Sequence, residues 1–312
     1  MVPFFIFMRL NLILLSLFIL TSPSLQAASM DYYQLENYEL KREELSIKGI
    51  NKTYAIKLFH YRTKENKQKE NNQKHIFMSH GYLDNCAYAI KAIKFFLDHQ
   101  YNVTCYDLPG HGESSGNRGD IDDFKTYGLV IKEAYKKTYQ NQHYQRKIFY
   151  AHSTGNSGMI ELLLNNEAPV FDQYIMAAPL IRSYLYKLTR FAMRYFGRFL
   201  RTVPRKFRNL HNQDYRDTLN LDPSPIRKLP TNWVRKNIQW NYELTKKETS
   251  PISLDVIFAT NDTVIDLNYN RYYIEKHFPN ARIQMIQNSG HHFYFQKDAV
   301  TEEFFRVVFG LL

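Results

Sequence analysis

The sequence predicts an α/β protein with a mostly parallel central sheet flanked by helices. Short apolar runs alternate with amphipathic helical stretches along most of the chain, which is the pattern of a parallel sheet with crossover helices. Several of these runs end in polar or glycine-containing turns. Hydrophobic residues make up 44% of the 312 residues, enough for a packed core and too many for a disordered chain.

The predicted elements follow one another in a regular order. Strands are predicted at residues 76–79, 103–106, 147–150, 172–177, 253–259 and 282–286. Helices are predicted between and after them, at residues 87–99, 124–139, 159–164 and 302–312. An antiparallel strand pair is expected within 38–61, and the polar stretch 63–74 is expected to be a solvated loop.

Residues 182–250 interrupt this alternation and divide the chain. They show helical periodicity, few strand signals and a proline-rich turn at 222–225. We therefore predict a helical cap at 182–250, inserted into a core formed by residues 28–181 and 251–312.

Residues 1–27 are predicted to be an export signal. Arg9 precedes an apolar run from Leu10 to Leu20, a polar break follows, and Ala27 offers a small residue for cleavage. The run is shorter than the roughly 20 residues that span a bilayer, although counting residues 2–7 keeps an uncleaved anchor as the alternative. The expected location is the periplasm or the exterior, with membrane association left open.

The charge and cysteine content limit the functional classes. The net charge is +11, of which removal of residues 1–27 would take away only Arg9. This excess favours anionic partners, and export favours a membrane surface over nucleic acid, so no nucleic-acid partner is expected. Cys86 and Cys105 are too few for a disulfide scaffold, and a bond between them remains open. The spacing of the histidines suggests no metal site, and no cofactor is expected.

The strongest chemical signal surrounds Ser153. A predicted strand runs into Ala151-His152-Ser153-Thr154-Gly155, and a helix continues from it. A serine on a sharp strand-to-helix turn needs small neighbours, and the following helix directs its N-terminus at the hydroxyl. This pattern predicts Ser153 as a nucleophile.

A nucleophilic serine needs a base and an acid that orients the base. Asp262 follows one predicted strand and His291 follows the next, in the chain order that this type of fold requires. Asp266 and His292 are neighbouring alternatives. We prefer Asp262 and His291, because Asp266 lies four residues further on and Gly290 precedes His291 in a loop.

An oxyanion hole requires two backbone N–H groups. The amide of Thr154, directly after the nucleophile, is predicted to supply one, and that of Tyr82, in the turn after strand 76–79, the other. His80, His111 and His152 are interpreted as structural residues that form hydrogen bonds.

Taken together, these motifs resemble the α/β-hydrolase superfamily, in particular its monoacylglycerol lipase and lysophospholipase branch of serine aminopeptidase-like hydrolases. The resemblance rests on His80-Gly81, on the turn at 107–114, on the Ser153 motif, and on Asp262 and His291. It covers roughly residues 45–312 and is absent in the cap. Ala151 and Asn156 depart from the glycines that are common there. The resemblance implies an α/β-hydrolase fold.

The cap indicates the substrate and the partner. Residues 182–208 contain nine Lys or Arg and no acidic residue, and Arg190, Arg194 and Arg198 share one helix face with aromatic residues between them. Such a helix suits an anionic lipid surface, or else it packs its apolar face on the core and leaves the arginines solvated. The predicted activity is hydrolysis of carboxylic esters such as lysophospholipids or monoacylglycerols, through an acyl-serine. A peptidase of the same fold and a catalytically weak lipid-binding envelope protein are the alternatives.

Overall fold

A computed structural model gives the fold and describes residues 37–63, 73–207 and 209–312, together with Met30 and Leu35. The predicted export signal, residues 1–27, lies outside the described residues. Most of the loop predicted at 63–74 lies outside them as well.

The strands form a large central sheet and a small one in the cap. The strands are β1 (Tyr38–Lys48), β2 (Thr53–Thr63), β3 (Lys74–Ser79), β4 (Tyr101–Tyr106), β5 (Arg146–His152), β6 (Gln173–Ala177), β7 (Thr202–Pro204), β8 (Lys228–Pro230), β9 (Asp255–Ala259) and β10 (Arg282–Ile286). The central sheet has the order β1-β2-β4-β3-β5-β6-β9-β10. Its pairings are antiparallel at β1–β2 and β2–β4 and parallel elsewhere, which confirms the predicted fold class.

Helices connect and cover these strands. They are α1 (Ile90–Asp98), α2 (Lys125–Tyr139), α3 (Ser157–Leu164), α4 (Tyr186–Tyr195), α5 (Gln213–Leu221), α6 (Thr231–Leu244), α7 (Leu267–His277) and α8 (Asp298–Leu311). The middle strands β4 and β5 are buried almost throughout, because a parallel sheet covered by helices must be apolar on both faces.

Several element boundaries differ from the prediction by a few residues, and local contacts explain two of them. The helix predicted at 87–99 begins as a 3₁₀ turn, Cys86–Ala89, where the Asn85 side chain accepts a hydrogen bond from the Ala87 amide. The closing helix begins at Asp298 rather than at residue 302, with the acidic Asp298 in its first turn.

The chain between β6 and β9 contains α4, α5, α6 and the antiparallel pair β7–β8. Two buried tryptophans of α6 hold this inserted segment to the core helices α2 and α3. The indole of Trp233 donates to the Tyr127 hydroxyl at 2.9 Å, and that of Trp240 donates to the Glu161 carboxylate at 2.9 Å. Burial of these large rings with satisfied N–H groups fixes α6 against the core.

Cys86 and Cys105 form a disulfide that joins the turn after β3 to β4, with their Cα atoms 6.0 Å apart. Within the described ranges, the structure contains no helix that is both long and apolar enough to span a bilayer.

Candidate active site

Ser153 lies on a strained turn between β5 and α3. Its φ is +52°, a left-handed conformation that costs a non-glycine residue free energy and is concentrated at functional sites. Gly155 makes the turn possible, since a Cβ there would lie 2.6 Å from the His80 carbonyl oxygen and 2.8 Å from that of Ser79. The serine turn therefore packs directly against the end of β3.

Asn156, one of the two departures from the family pattern, has a structural role in this turn. Its Nδ2 lies 3.2 Å from each of three buried carbonyl oxygens, those of Ala151, Ser153 and Ala177. The side chain thus ties the serine turn to β5 and β6. Ala151, the other departure, is fully buried in β5 opposite Ser79.

The structure brings Ser153, His291 and Asp262 together. The Nε2 atom of His291 lies 2.9 Å from the Ser153 hydroxyl, and its Nδ1 lies 2.6 Å from Asp262 Oδ2. With Nδ1–H donating to the carboxylate, Nε2 carries the lone pair that can accept the serine proton. Ser153 is 4% exposed and the other two residues are also buried.

The surroundings of Asp262 keep its carboxylate ionised. Its second oxygen, Oδ1, accepts the amides of Val264 at 2.7 Å and Ile265 at 3.0 Å. Burial alone would raise the pKa of Asp262, but the charge and hydrogen bond of His291 and these two amides outweigh it and hold the pKa below its usual value.

The two alternatives from the sequence have other contacts. Asp266 caps the N-terminus of α7, where its carboxylate accepts the Tyr269 amide at 3.2 Å. His292 points its Nδ1 at Asp84 Oδ2, 3.7 Å away.

The predicted oxyanion loop approaches the nucleophile closely. A Cβ on Gly81 would lie 3.0 Å from His152 Nδ1 and 3.3 Å from the Ser153 Cβ, so a side chain at this position would displace its neighbours. Tyr82 follows Gly81, and Thr154 follows Ser153. Their amides are the ones predicted to form the oxyanion hole.

The cap holds this loop from the other side. The Tyr82 ring stacks on Trp233 of α6 with centroids 3.7 Å apart, and its hydroxyl donates to the Gly119 carbonyl at 2.8 Å. Arg205 donates to the Leu83 carbonyl at 2.8 Å and to the Tyr215 hydroxyl at 3.1 Å. The predicted oxyanion loop is thus held by residues of the cap as well as by the core.

The neighbouring histidines make the structural hydrogen bonds expected of them. His80 accepts the Leu108 amide at 2.9 Å, and His111 donates to the Pro109 carbonyl at 2.9 Å. His152 donates to the carbonyl of His291 at 2.9 Å. Burial, followed by the charge of His291, lowers the pKa of His152 to about 3, so the ring is neutral.

Asp84 is a buried carboxylate beside the triad that no sequence pattern predicted. In the described part of the chain, Asp84, His152 and His292 form the group suited to a metal ion, with ligand atoms within 4.8 Å of one another. The Arg205 guanidinium, however, lies 3.6 Å from Asp84 Oδ1 and already supplies a positive charge. The position of Asp84 in the predicted oxyanion loop could have indicated that it lies near the site. No local sequence pattern indicated that Arg205 approaches it.

Arg190, Arg194 and Arg198, which the sequence predicts to contact a membrane or the substrate, are exposed on the cap. Their contact with a membrane or the substrate stays a prediction.

Asp84 provides a prediction about stability and pH. Burial raises the pKa of Asp84 to about 6, against the opposing charges of Arg205 and His291. The folded state binds this proton more tightly than the unfolded state, in which Asp has a pKa of about 3.9. The contribution of this proton to the free energy of unfolding is therefore complete below that pH and is lost as the pH rises through about 6. Asp84→Asn should remove this loss and stabilise the protein at pH 8 by up to about 3 kcal/mol.

Urea unfolding of both proteins between pH 4 and pH 8 checks this expectation. The difference in unfolding free energy should be small near pH 4 and largest above pH 6. If Asp84→Asn is the less stable protein at pH 8, the ionised carboxylate beside Arg205 is stabilising and the expectation is wrong.

The sheet order, the strained serine turn and the Ser153–His291–Asp262 hydrogen bonds are those of an α/β hydrolase. Residues 70–298 match the family model described as serine aminopeptidase, S33. The chain therefore belongs to this family of hydrolases. No curated protein sequence matches the chain.

Solved structures share the fold at low sequence identity. A soluble variant of monoglyceride lipase from Saccharomyces cerevisiae, in complex with a substrate analogue, is 15% identical with a TM-score of 0.63, over 86% of this chain and 93% of that one. A monoacylglycerol lipase of Paleococcus ferrophilus is 15% identical with a TM-score of 0.57, over 86% and 96%. An esterase of Pyrococcus furiosus is 20% identical with a TM-score of 0.51, over 86% and 89%. At these identities the likeness shows the shared fold.

Proposed function

We propose that the protein hydrolyses carboxylic esters of amphiphilic substrates, monoacylglycerols or lysophospholipids, through an acyl-Ser153 intermediate. The observation that supports this most is the continuous hydrogen-bonded series from Asp262 through His291 to Ser153. The family to which the chain belongs and the lipase and esterase neighbours support the hydrolase class.

The proposed chemistry uses the geometry of the three residues. Ser153 Oγ attacks the ester carbonyl carbon while His291 Nε2 takes the hydroxyl proton, and the amides of Tyr82 and Thr154 stabilise the negative oxygen of the tetrahedral intermediate. His291 then gives that proton to the departing alcohol oxygen, which leaves the acyl group on Ser153. His291 Nε2 then deprotonates a water molecule, which attacks the acyl carbon. As the bond to Ser153 Oγ breaks and the fatty acid leaves, the ring returns that proton to Ser153 Oγ.

Asp262 acts through His291. Its carboxylate holds the ring with Nδ1 protonated and stabilises the imidazolium that forms in each step. The amides of Val264 and Ile265 fix the carboxylate itself, so that the ring is oriented before substrate binds.

A peptidase is the second candidate, because Asp84 is a buried carboxylate next to the site and could hold a substrate ammonium group. The position of Arg205, 3.6 Å from Asp84 Oδ1, argues against this role. A guanidinium already faces the carboxylate, and a second cation would be repelled. We therefore favour an uncharged acyl ester.

We also propose that the protein works outside the cytoplasm. The Cys86–Cys105 disulfide supports an oxidising compartment, in keeping with the export signal predicted from residues 1–27. The signal sequence itself lies outside the described residues.

Labelling with a fluorophosphonate probe tests the proposed activity. The wild type should be labelled, and Ser153→Ala should not, because the probe forms a covalent bond only with an activated serine. The labelled wild type should also lose hydrolysis of monoacylglycerol.

Each other outcome of the labelling experiment has a clear meaning. Absence of labelling in the wild type would leave a catalytically weak lipid-binding protein. Equal labelling of the variant would show that a different serine reacts. Cleavage of an aminoacyl anilide together with inertness toward monoacylglycerol would favour the peptidase.

A further inference from the structure

Helix α4 and the residues on either side of it expose an apolar surface on the cap. Of the ten residues of α4, only Tyr186 is buried. The apolar face thus does not pack on the core, which was one of the two interpretations of the sequence. We call this surface the cap ridge; its exposed large side chains are Tyr184, Leu185, Leu188, Phe191, Tyr195, Phe196, Phe199 and Leu200.

A cavity of about 640 Å³ lies beside the cap ridge, between the end of α4 and the start of α6. Arginine dominates its charged lining. We call it the arginine pocket; its arginines are Arg194, Arg198, Arg201 and Arg235. Among the described residues that line it, Asp120 is the one acidic side chain, and its Oδ1 accepts a hydrogen bond from Asn232 at 2.9 Å.

Two cap segments that are joined by hydrogen bonds form most of the pocket, and Asp120 of the core completes it. Arg235 donates to the Gly197 carbonyl at 2.8 Å, and the Thr231 amide donates to the Arg201 carbonyl at 2.9 Å. The triad residues do not line it, so the pocket is distinct from the catalytic centre. The pocket is connected to the predicted oxyanion loop through Asp120. The preceding residue, Gly119, accepts a hydrogen bond from the Tyr82 hydroxyl at its carbonyl oxygen.

The chemistry of this lining points to a phosphate. A guanidinium offers a planar set of donors that matches phosphate oxygens, often with two hydrogen bonds at once. Four such groups against a single carboxylate leave an excess of positive charge that an anion would neutralise. An apolar, aromatic ridge beside a cationic cavity is the combination that lets a protein sit in the interface of an anionic bilayer.

We propose that the arginine pocket binds the phosphate of an anionic phospholipid while the cap ridge enters the interfacial region of the membrane. This proposal rests on the proposed function in that it brings the enzyme to the surface where its amphiphilic substrate lies. The phospholipid in the pocket is an anchor and not the molecule that is hydrolysed.

The test measures vesicle binding in the Ser153→Ala protein, so that the result does not depend on hydrolysis. Phosphatidylcholine vesicles with and without phosphatidylglycerol are the probes. The pocket variant is Arg201→Gln with Arg235→Gln, and the matched control is Lys187→Gln with Arg190→Gln. Both pairs remove two positive charges from the cap, but only the first pair lines the pocket.

We expect the Ser153→Ala protein to prefer the phosphatidylglycerol vesicles, and the preference to weaken in high salt. The control pair should weaken binding about threefold, from lost long-range attraction, whereas the pocket pair should weaken it by about thirtyfold or more. Equal losses in the two pairs would show diffuse attraction without a phosphate site and would overturn the proposal, as would equal binding to both vesicles.

Two further measurements keep the result unambiguous. Because Arg235 also bonds to Gly197, the single variant Arg201→Gln is tested alongside, and it too should lose more affinity than the control pair. Titration of the protein with glycerol phosphate identifies the source of the ligand. Tight binding of glycerol phosphate, combined with vesicle binding that is insensitive to the pocket pair, would mean that the pocket takes a soluble phosphate ester and would refute the lipid anchor.

Discussion

His291→Ala is expected to lower turnover of a short acyl ester by about 10⁴- to 10⁶-fold, which is the loss found when the members of such a triad are removed. The reason is the 2.9 Å contact between His291 Nε2 and the Ser153 hydroxyl. Without this nitrogen, the serine keeps its proton and the leaving alcohol receives none. Steady-state hydrolysis and the rate of fluorophosphonate labelling should both collapse.

His292→Ala is the matched control, since it removes the same ring one residue along the chain. Its Nδ1 faces Asp84 rather than Ser153, so we expect turnover within about tenfold of the wild type. If His292→Ala loses its turnover of the ester and His291→Ala keeps it, the base is His292 and the assignment is reversed. Losses of only a few-fold in both would mean that neither histidine is the base.

Asp262→Asn is expected to reduce turnover by about 10⁴-fold while leaving the fold intact. An amide in this place no longer favours the ring form with Nδ1 protonated, so Nε2 loses the lone pair that accepts the serine proton. It also cannot stabilise the imidazolium. Circular dichroism and thermal unfolding should stay close to those of the wild type, whereas the turnover number falls.

Asp266→Asn provides the comparison for this variant. Asp266 caps α7, and asparagine caps helices about as well as aspartate, so activity and stability should both change little. If Asp266→Asn loses activity and Asp262→Asn retains it, the acid lies at the other position. The loop after β9 would then have to be arranged differently around His291.

The sequence was sufficient for the fold class because the signals of this fold are local. Apolar runs of strand length, helical periodicity and the order of Ser153, Asp262 and His291 can all be read along the chain. Each of the three residues follows a strand, and in a parallel sheet the carboxyl ends of strands meet at one edge. Their proximity is therefore a consequence of topology.

Contacts between distant segments could not be predicted in the same way. The approach of Arg205 to Asp84 and to the Leu83 carbonyl depends on how the cap lies against the core. The choice between Asp262 and Asp266 depends on which carboxylate the loop turns inward. Each of these facts requires tertiary structure.

The apolar face of α4 illustrates a third kind of limit. The pattern of apolar residues in an amphipathic helix is the same whether that face is buried or exposed, because periodicity records only the existence of a face. The sequence was therefore compatible both with a helix that faces a lipid surface and with one that packs its apolar face on the core. The exposure of Leu188 at 61% and of Phe191 at 56% shows that this face of α4 does not pack on the core.

The contacts between the cap and the predicted oxyanion loop bear on the design of chimeric hydrolases. Trp233 stacks on Tyr82, and Arg205 donates a hydrogen bond to the Leu83 carbonyl. The position of this loop therefore depends on the cap as well as on the core. A chimera that receives a foreign cap would need an aromatic ring and a buried donor at the same two places. Without them, we expect a transplanted cap to hold the predicted oxyanion loop less firmly.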